Sequence, residues 1–198
     1  MRPLPHFLLW SIGLVGPATQ TTAAERACLA GYARGKRRLA EIGVWHGVTT
    51  CTLRGAMAPD GVLYAVDPYP VGRLGVSLQQ PIAHREVGRI RRGGVVWLRM
   101  TGADAARHLT SRGPPPIDFV FIDGDHSYEG LRADWTGWSP LVAPGGIVAL
   151  HDSRPCTGRP IEGAGSVKYT AEVISRAPGF QVVDGVEGLT VLRRRPTP

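Results

Sequence analysis

Cysteine is scarce: the chain has three, Cys28, Cys51 and Cys156, an odd number with no close spacing. A disulfide framework needs partners and a structural zinc site needs closely spaced ligands, so neither is supported, and a reducing, cytoplasmic setting is expected. Long apolar runs are missing too. The nearest candidate, Phe7 to Gly16, is about ten residues long, half of the roughly 20 that a membrane-spanning helix requires. Arg2 precedes that run as in a signal peptide, but Pro3 and Pro5 interrupt the charged region and no small-residue cleavage site follows. Residues 1–19 are therefore read as a flap or partner-contacting segment. Aromatic residues are few, and none interleave with the basic knots Lys36-Arg37-Arg38, Arg89 with Arg91-Arg92, and Arg193 to Arg195. The formal charge of +7 then describes a solvated basic surface rather than a base-stacking one, which argues against a nucleic-acid partner.

What remains suffices for one domain with a real core over residues 20–198. Thr22-Ala23-Ala24-Glu25 is a capping-box pattern that opens a helix running to about Ala33, with Gly35 as its stop. Strands are expected at Leu39–Gly43, Val62–Val66, Val95–Leu98, Phe119–Ile122 and Gly146–Leu150. Helices are expected at Val48–Ala58, Gln80–Arg91, Ala105–Leu109, Tyr128–Leu141 and Lys168–Arg176, with the breaker Gly113-Pro114-Pro115-Pro116 before the fourth strand. Phe180–Val183 and Leu189–Arg193, separated by the turn-rich Asp184 to Gly188, read as an antiparallel hairpin. The pattern predicts an α/β fold, a doubly wound, Rossmann-like, mostly parallel seven-stranded sheet ending in that hairpin.

The chemistry concentrates where two strands stop. Phe119-Val120-Phe121-Ile122 is apolar throughout, as expected of a strand buried on both faces, and it ends in Asp123-Gly124-Asp125-His126. Gly146-Ile147-Val148-Ala149-Leu150 repeats the pattern and ends in His151-Asp152. Open α/β sheets bind ligands at the carboxyl ends of their strands, so Asp123, Asp125, His126, His151 and Asp152 should aim at one crevice. A lone Asp after a strand is commonly a turn former, and that reading applies to Asp125 taken singly.

Glu41-Ile42-Gly43-Val44-Trp45-His46-Gly47 lies between the first strand and its helix, where glycines admit a ligand to the backbone and the helix start offers free N–H donors. The pattern is Gly-x-x-x-Gly and lacks the turn suited to a pyrophosphate, so a small anionic end such as an amino-acid carboxylate fits better. Thr49 can donate its hydroxyl to that carboxylate, or it supports the turn with Thr50. Asp67, at the end of the second strand, is placed to accept the two hydroxyls of a ribose. Trp45 is expected to pack over the ligand or under the loop, and His46 to make a polar contact near the carboxylate end.

Taken together, Glu41 to Gly47, Asp67, Gly102-Ala103-Asp104, Phe121 to Glu129 and Pro144-Gly145-Gly146 through His151-Asp152 resemble class I S-adenosylmethionine-dependent methyltransferases. The small-molecule O-methyltransferase branch, with its catechol, caffeoyl-coenzyme A and macrolide-sugar members, is the nearer likeness, spanning roughly residues 20 to 195. The resemblance implies S-adenosylmethionine as cofactor and a small-molecule hydroxyl as acceptor. It implies that Glu41, Gly43, Trp45, Gly47, Thr49, Asp67, Ala103, Asp104 and Asp123 surround the cofactor. Among them Gly43 and Gly47 line the methionine end and Ala103 and Asp104 flank the adenine, although Asp104 also suits a plain helix cap.

Because a sulfonium methyl is already electrophilic, catalysis reduces to alignment and removal of a proton. His126 stands three residues beyond Asp123, where metal-dependent relatives carry a basic side chain, and is the expected base, with Asp123 beside it. Asp123 and Asp152 match metal-binding carboxylates of those relatives, so Mg²⁺ or another divalent cation is implied. Two departures stand against it: Ser153 and His151 occupy the places of the usual third ligand, and His151, the expected third metal ligand here, is a softer donor. Rival readings are a nucleic-acid or protein methyltransferase, which would use the basic surface, and a module that binds the cofactor without turnover. Phe7, Leu8, Leu9 and Trp10 would be costly to leave in water, which suggests a homodimer contact.

Overall fold

The computed structural model describes residues 3–72, 75–113 and 115–196; Arg2, and Pro114 of the proline-rich breaker, lie outside them. A seven-stranded sheet runs in the order β3-β2-β1-β4-β5-β7-β6. Its strands are β1 (Arg38–Ile42), β2 (Val62–Val66), β3 (Gly94–Leu98), β4 (Ile117–Ile122), β5 (Val142–Leu150), β6 (Phe180–Val186) and β7 (Leu189–Arg194). The first five are parallel and β7 is antiparallel to both of its neighbours. Helices α1 (Pro3–Ser11), α2 (Ala23–Ala33), α3 (Val48–Ala56), α4 (Gln79–Gly88), α5 (Gly102–Thr110), α6 (Tyr128–Trp138) and α7 (Gly165–Glu172) complete it.

The apolar runs are buried on both faces, as their composition dictates. Ala40, Ile42, Val120, Ile122 and Val148 pack with Leu109, Leu131 and Trp138 of α5 and α6, whereas Leu39, Phe119, Phe121, Ile147 and Ala149 pack with Leu29 and Leu53 of α2 and α3. Alternate residues of one strand thus feed two separate cores.

Register positions the site. Ile42 pairs with both Val66 and Ile122, and Ile122 with Leu150. The residue after each of these, Asp67, Gly43, Asp123 and His151, therefore falls in one row along the carboxyl edge, and each donates its N–H to the neighbouring strand's last carbonyl. Gly43 has φ +90°, and a Cβ there would collide with the Asp123 carbonyl, so only glycine allows the two strand tips to touch.

Two differences from the sequence reading have identifiable causes. The N-terminal segment forms a helix, α1, because Trp10 donates to Glu86 Oε1 at 2.8 Å and Arg85 lies over its ring, fastening α1 to α4. Trp10 is therefore covered by its own chain, while Leu4, Leu8 and Ile12 stay exposed one turn apart. The helix expected to reach Arg176 stops at Glu172, and a short 3-10 turn, Ile174–Arg176, carries the chain into β6.

Candidate active site

Above the row of strand tips lies a cavity of about 630 Å³, within the range of sites that enclose a small ligand. The sequence-derived residues Gly43, Trp45, Thr49, Asp67, Ala103, Asp123 and His126 stand on its wall. Ala18 and Thr19 of the N-terminal segment, with Gln20 after them, close one side.

The glycine turn is built by Asp67. Its Oδ2 accepts the Val44 N–H at 3.0 Å and the Trp45 N–H at 2.9 Å, and its Oδ1 accepts the Tyr69 N–H at 2.7 Å. These bonds hold Trp45 in the left-handed region, at φ +49°. A carboxylate offers about four lone-pair positions, so the turn takes most of what Asp67 has and little is left for a ribose. After the turn, Gly47 begins α3 with no side-chain cap, leaving first-turn N–H groups toward the cavity. Gly47 itself packs against Ala83 and Val87 of α4 rather than lining the cavity. Thr49 lies with its hydroxyl 3.3 Å from that of Thr21.

Glu41 sits behind the turn, fully buried, with neither carboxylate oxygen hydrogen-bonded to any described residue. Burial above all pushes its carboxyl well above the usual range; Thr50 opposes this, and the charges of Asp123 and Asp67 add to it. His46, expected near the ligand, is instead sandwiched between His6 and Trp45, with ring centroids 4.8 and 4.7 Å away. Its Nδ1 accepts the Ala18 N–H at 3.0 Å, so its role is to fasten the flap. Asp104 is exposed, caps α5 with Thr101 and pairs with Arg107, outside the wall. Asp125 accepts the Ser127 N–H at 2.9 Å and packs on Gly130, making the turn its residue type favours while still facing the cavity.

At the other end a line of charges runs inward. His126 Nε2 is 3.5 Å from Asp123 Oδ1, and His151 Nδ1 is 2.8 Å from the same oxygen, an ion-pair distance without the alignment of a hydrogen bond. His151 Nε2 is 3.4 Å from Oε2 of Glu25, and both side chains are wholly out of water. Burial would lower the His151 pKa, but Asp123, Glu25 and Asp152 outweigh it and raise it, so the imidazolium form is held. For Glu25, burial acts upward and is overcome by His151, the Thr22 N–H and Arg159, leaving the carboxylate ionised. Arg159 NH1 also lies 3.0 Å from His151 Nε2. Two cations tolerate that approach because both face Glu25 and Asp152; Arg159 NH1 is 2.6 Å from Asp152 Oδ1.

That arrangement bears on the implied Mg²⁺. Asp152 is held by Arg159, and among the described residues the groups that converge within 4.8 Å of one another are Asp123, His126 and His151. One carboxylate and two imidazoles are not the all-oxygen shell that Mg²⁺ or Ca²⁺ prefers, so the residues present do not fit a hard cation.

Sequence reasoning missed Glu25 and Asp134 as site residues. Both carried a signal: each is an acid within an otherwise apolar helical stripe, Glu25 with Leu29 and Ala33, and Asp134 with Leu131, Trp135 and Trp138.

Comparison with known proteins now decides the family. A family model described as a methyltransferase domain matches residues 40–153, from β1 through the strand-end cluster. The chain belongs to that methyltransferase family. A protein of Mycobacterium avium (strain 104), provisionally named an O-methyltransferase, is 31% identical over 143 residues, 69% of this chain and 56% of its own. The chain thus spans about half the length of that relative. Among solved structures, the Bacillus cereus O-methyltransferase in complex with S-adenosylhomocysteine superposes with TM-score 0.67 at 17% identity, over 97% of this chain and 90% of its own. The O-methyltransferase TomG from Streptomyces achromogenes, in complex with S-adenosylmethionine, gives TM-score 0.67 at 20% identity over 98% and 90%. At such identities the likeness is one of fold.

Proposed function

We propose that this methyltransferase-family chain moves the methyl group of S-adenosylmethionine to a hydroxyl of a small molecule. The observation that carries the reading is the single row of Asp67, Gly43 and Asp123 at the sheet edge, beneath a cavity of about 630 Å³ into which His126 opens. The row presents an uncapped helix start for a carboxylate and, with Asp125 and Asp134, four carboxyl groups toward a cationic sulfonium donor. Names and bound ligands of the relatives agree with that donor.

In the transfer, the acceptor oxygen forms a bond to the methyl carbon as the carbon–sulfur bond breaks and its electron pair returns to sulfur. The acceptor proton passes to His126, the imidazole on the cavity wall. Asp123, between His126 and the imidazolium of His151, orients the base. No step is assigned to a metal. Ala18, Thr19 and Gln20 supply one acceptor wall, and exposed Leu4, Leu8 and Ile12 support a second copy of the chain as partner.

The test is transfer of a labelled methyl group from S-adenosylmethionine to phenol and sugar hydroxyl panels, with RNA and protein acceptors as controls. Label in small molecules, insensitive to EDTA and reduced at least ~100-fold by His126→Ala, is expected. Label in RNA or protein alone would overturn the acceptor class.

A further inference from the structure

Asp134 faces the cavity yet takes no part in the chemistry above. It is 6% exposed on the buried stripe of α6. Its charge is governed by burial, then by the nearby carboxylate of Asp125, with no hydrogen-bond donor contributing among the described residues. A buried carboxylate without a donor costs several times what a satisfied one does, so its surroundings call for an incoming N–H or O–H.

The space around it is cleared for that purpose. A Cβ on Gly102 would collide with Asp134 Oδ1, and one on Gly124 would come within 3.0 Å of Oδ2. Trp138 fixes the Gly102 carbonyl by donating to it at 3.0 Å. Thr101 takes the Asp104 N–H at 3.2 Å, which leaves the N–H groups of Gly102 and Ala103 at the start of α5 without a side-chain cap, and both residues line the cavity. An acceptor-only carboxylate therefore stands beside free backbone donors.

Such a pair complements one edge of a purine. Adenine presents a 6-amino donor next to the N1 acceptor; a 6-oxopurine presents an acceptor next to an N1–H donor, the reverse order. Resting on the cofactor reading above, we propose that Asp134 reads the purine: its carboxylate accepts a proton of the adenine 6-amino group while an N–H of the first turn of α5 donates to N1. Asp104, engaged with Thr101 and Arg107 on the surface, does not serve this purpose.

The experiment is calorimetric titration of the intact chain with S-adenosylhomocysteine and with its deaminated analogue S-inosylhomocysteine. Wild type should favour the adenosyl compound by at least ~10-fold, as expected where a polar group is left facing its own kind. In Asp134→Asn, whose amide both donates and accepts, that preference should shrink to within about threefold. Equal wild-type affinity for the two compounds overturns the proposal without recourse to the variant, and so does an undiminished preference in a folded Asp134→Asn. Either result leaves both ligands bound and the cofactor reading intact. Absence of binding by both compounds overturns that reading, and this proposal with it.

Discussion

Glu25 of α2 and His151 at the tip of β5 form a fully buried pair, Oε2 to Nε2 3.4 Å apart, joining the first helix of the domain to the carboxyl edge of the sheet. Glu25 does more than bond His151. It closes the capping box of α2 by accepting the Thr22 N–H at 2.9 Å, accepts the Gly188 N–H at 3.1 Å and pairs with Arg159. One carboxylate thereby fixes a helix start, the β6–β7 turn and the loop after β5. Beyond His151 lies Asp123, then His126, so negative and positive groups alternate from the interior to the cavity.

Replacing Glu25 by Gln leaves a buried imidazolium and guanidinium short of one counter-charge, which should cost about 3 kcal/mol or more in urea unfolding at neutral pH. The pH dependence follows from the directions of the two shifts. Glu25 is lowered in the fold, so its share is present above the unfolded value of 4.5 and is lost as acid protonates it. His151 is raised, so its share is complete below 6.5 and declines as the pH rises toward the folded value. A Glu25→Gln protein as stable as wild type would contradict the pairing.

His46 should make flap attachment acid-sensitive. Burial, with His6 second, lowers its pKa to about 4, and its Nδ1 must stay unprotonated to accept the Ala18 N–H. Its contribution is complete above pH 6.5 and falls as the pH drops toward 4, by about 2 kcal/mol between pH 7 and pH 5. Asn at this position keeps an acceptor without a titrating ring. The expected result is that the wild-type stability curve steepens below pH 6.5 relative to that of His46→Asn; parallel curves would remove the assignment.

Gly43→Ala places a methyl group against the Asp123 carbonyl at a backbone angle of φ +90°. Neither strand tip can retreat without breaking the ladder, so a loss of about 3 kcal/mol or more is expected, together with loss of nucleoside binding. Thermal unfolding with and without S-adenosylhomocysteine reads both effects.

Asp67→Asn keeps one acceptor oxygen where the turn uses two. Either the Val44 and Trp45 N–H groups or that of Tyr69 must lose its partner, at about 1–3 kcal/mol. A shift in tryptophan emission from Trp45 and weaker nucleoside binding should accompany the change. Unchanged emission would mean that the turn holds itself.

The strands, the helices and the mostly parallel sheet ending in a hairpin were legible because the physics is local: apolar runs of strand length, glycine and proline stops, and a capping box that formed as read. Of the five strand-end residues expected at one crevice, Asp123, Asp125 and His126 line it because parallel strands bring their tips together, whereas His151 and Asp152 do not. What escaped depended on partners distant in sequence. His46 reads as a ligand-facing polar residue until His6 stacks on it, and Asp152 reads as a ligand until Arg159 reaches it. Glu25 was visible as a cap, and nothing in its spacing disclosed that His151 would arrive at its other side. The fold of α1 depended on Glu86, far along the chain, accepting from Trp10.

The central claim is that the row Asp67, Gly43 and Asp123 cradles a sulfonium nucleoside. Titration calorimetry of the purified chain with S-adenosylhomocysteine, alongside NAD, tests it most directly. The account predicts one-site binding of the thioether nucleoside at micromolar concentrations and no heat from NAD, whose pyrophosphate the Gly43–Gly47 turn does not accommodate. Binding of NAD with no uptake of S-adenosylhomocysteine would contradict it.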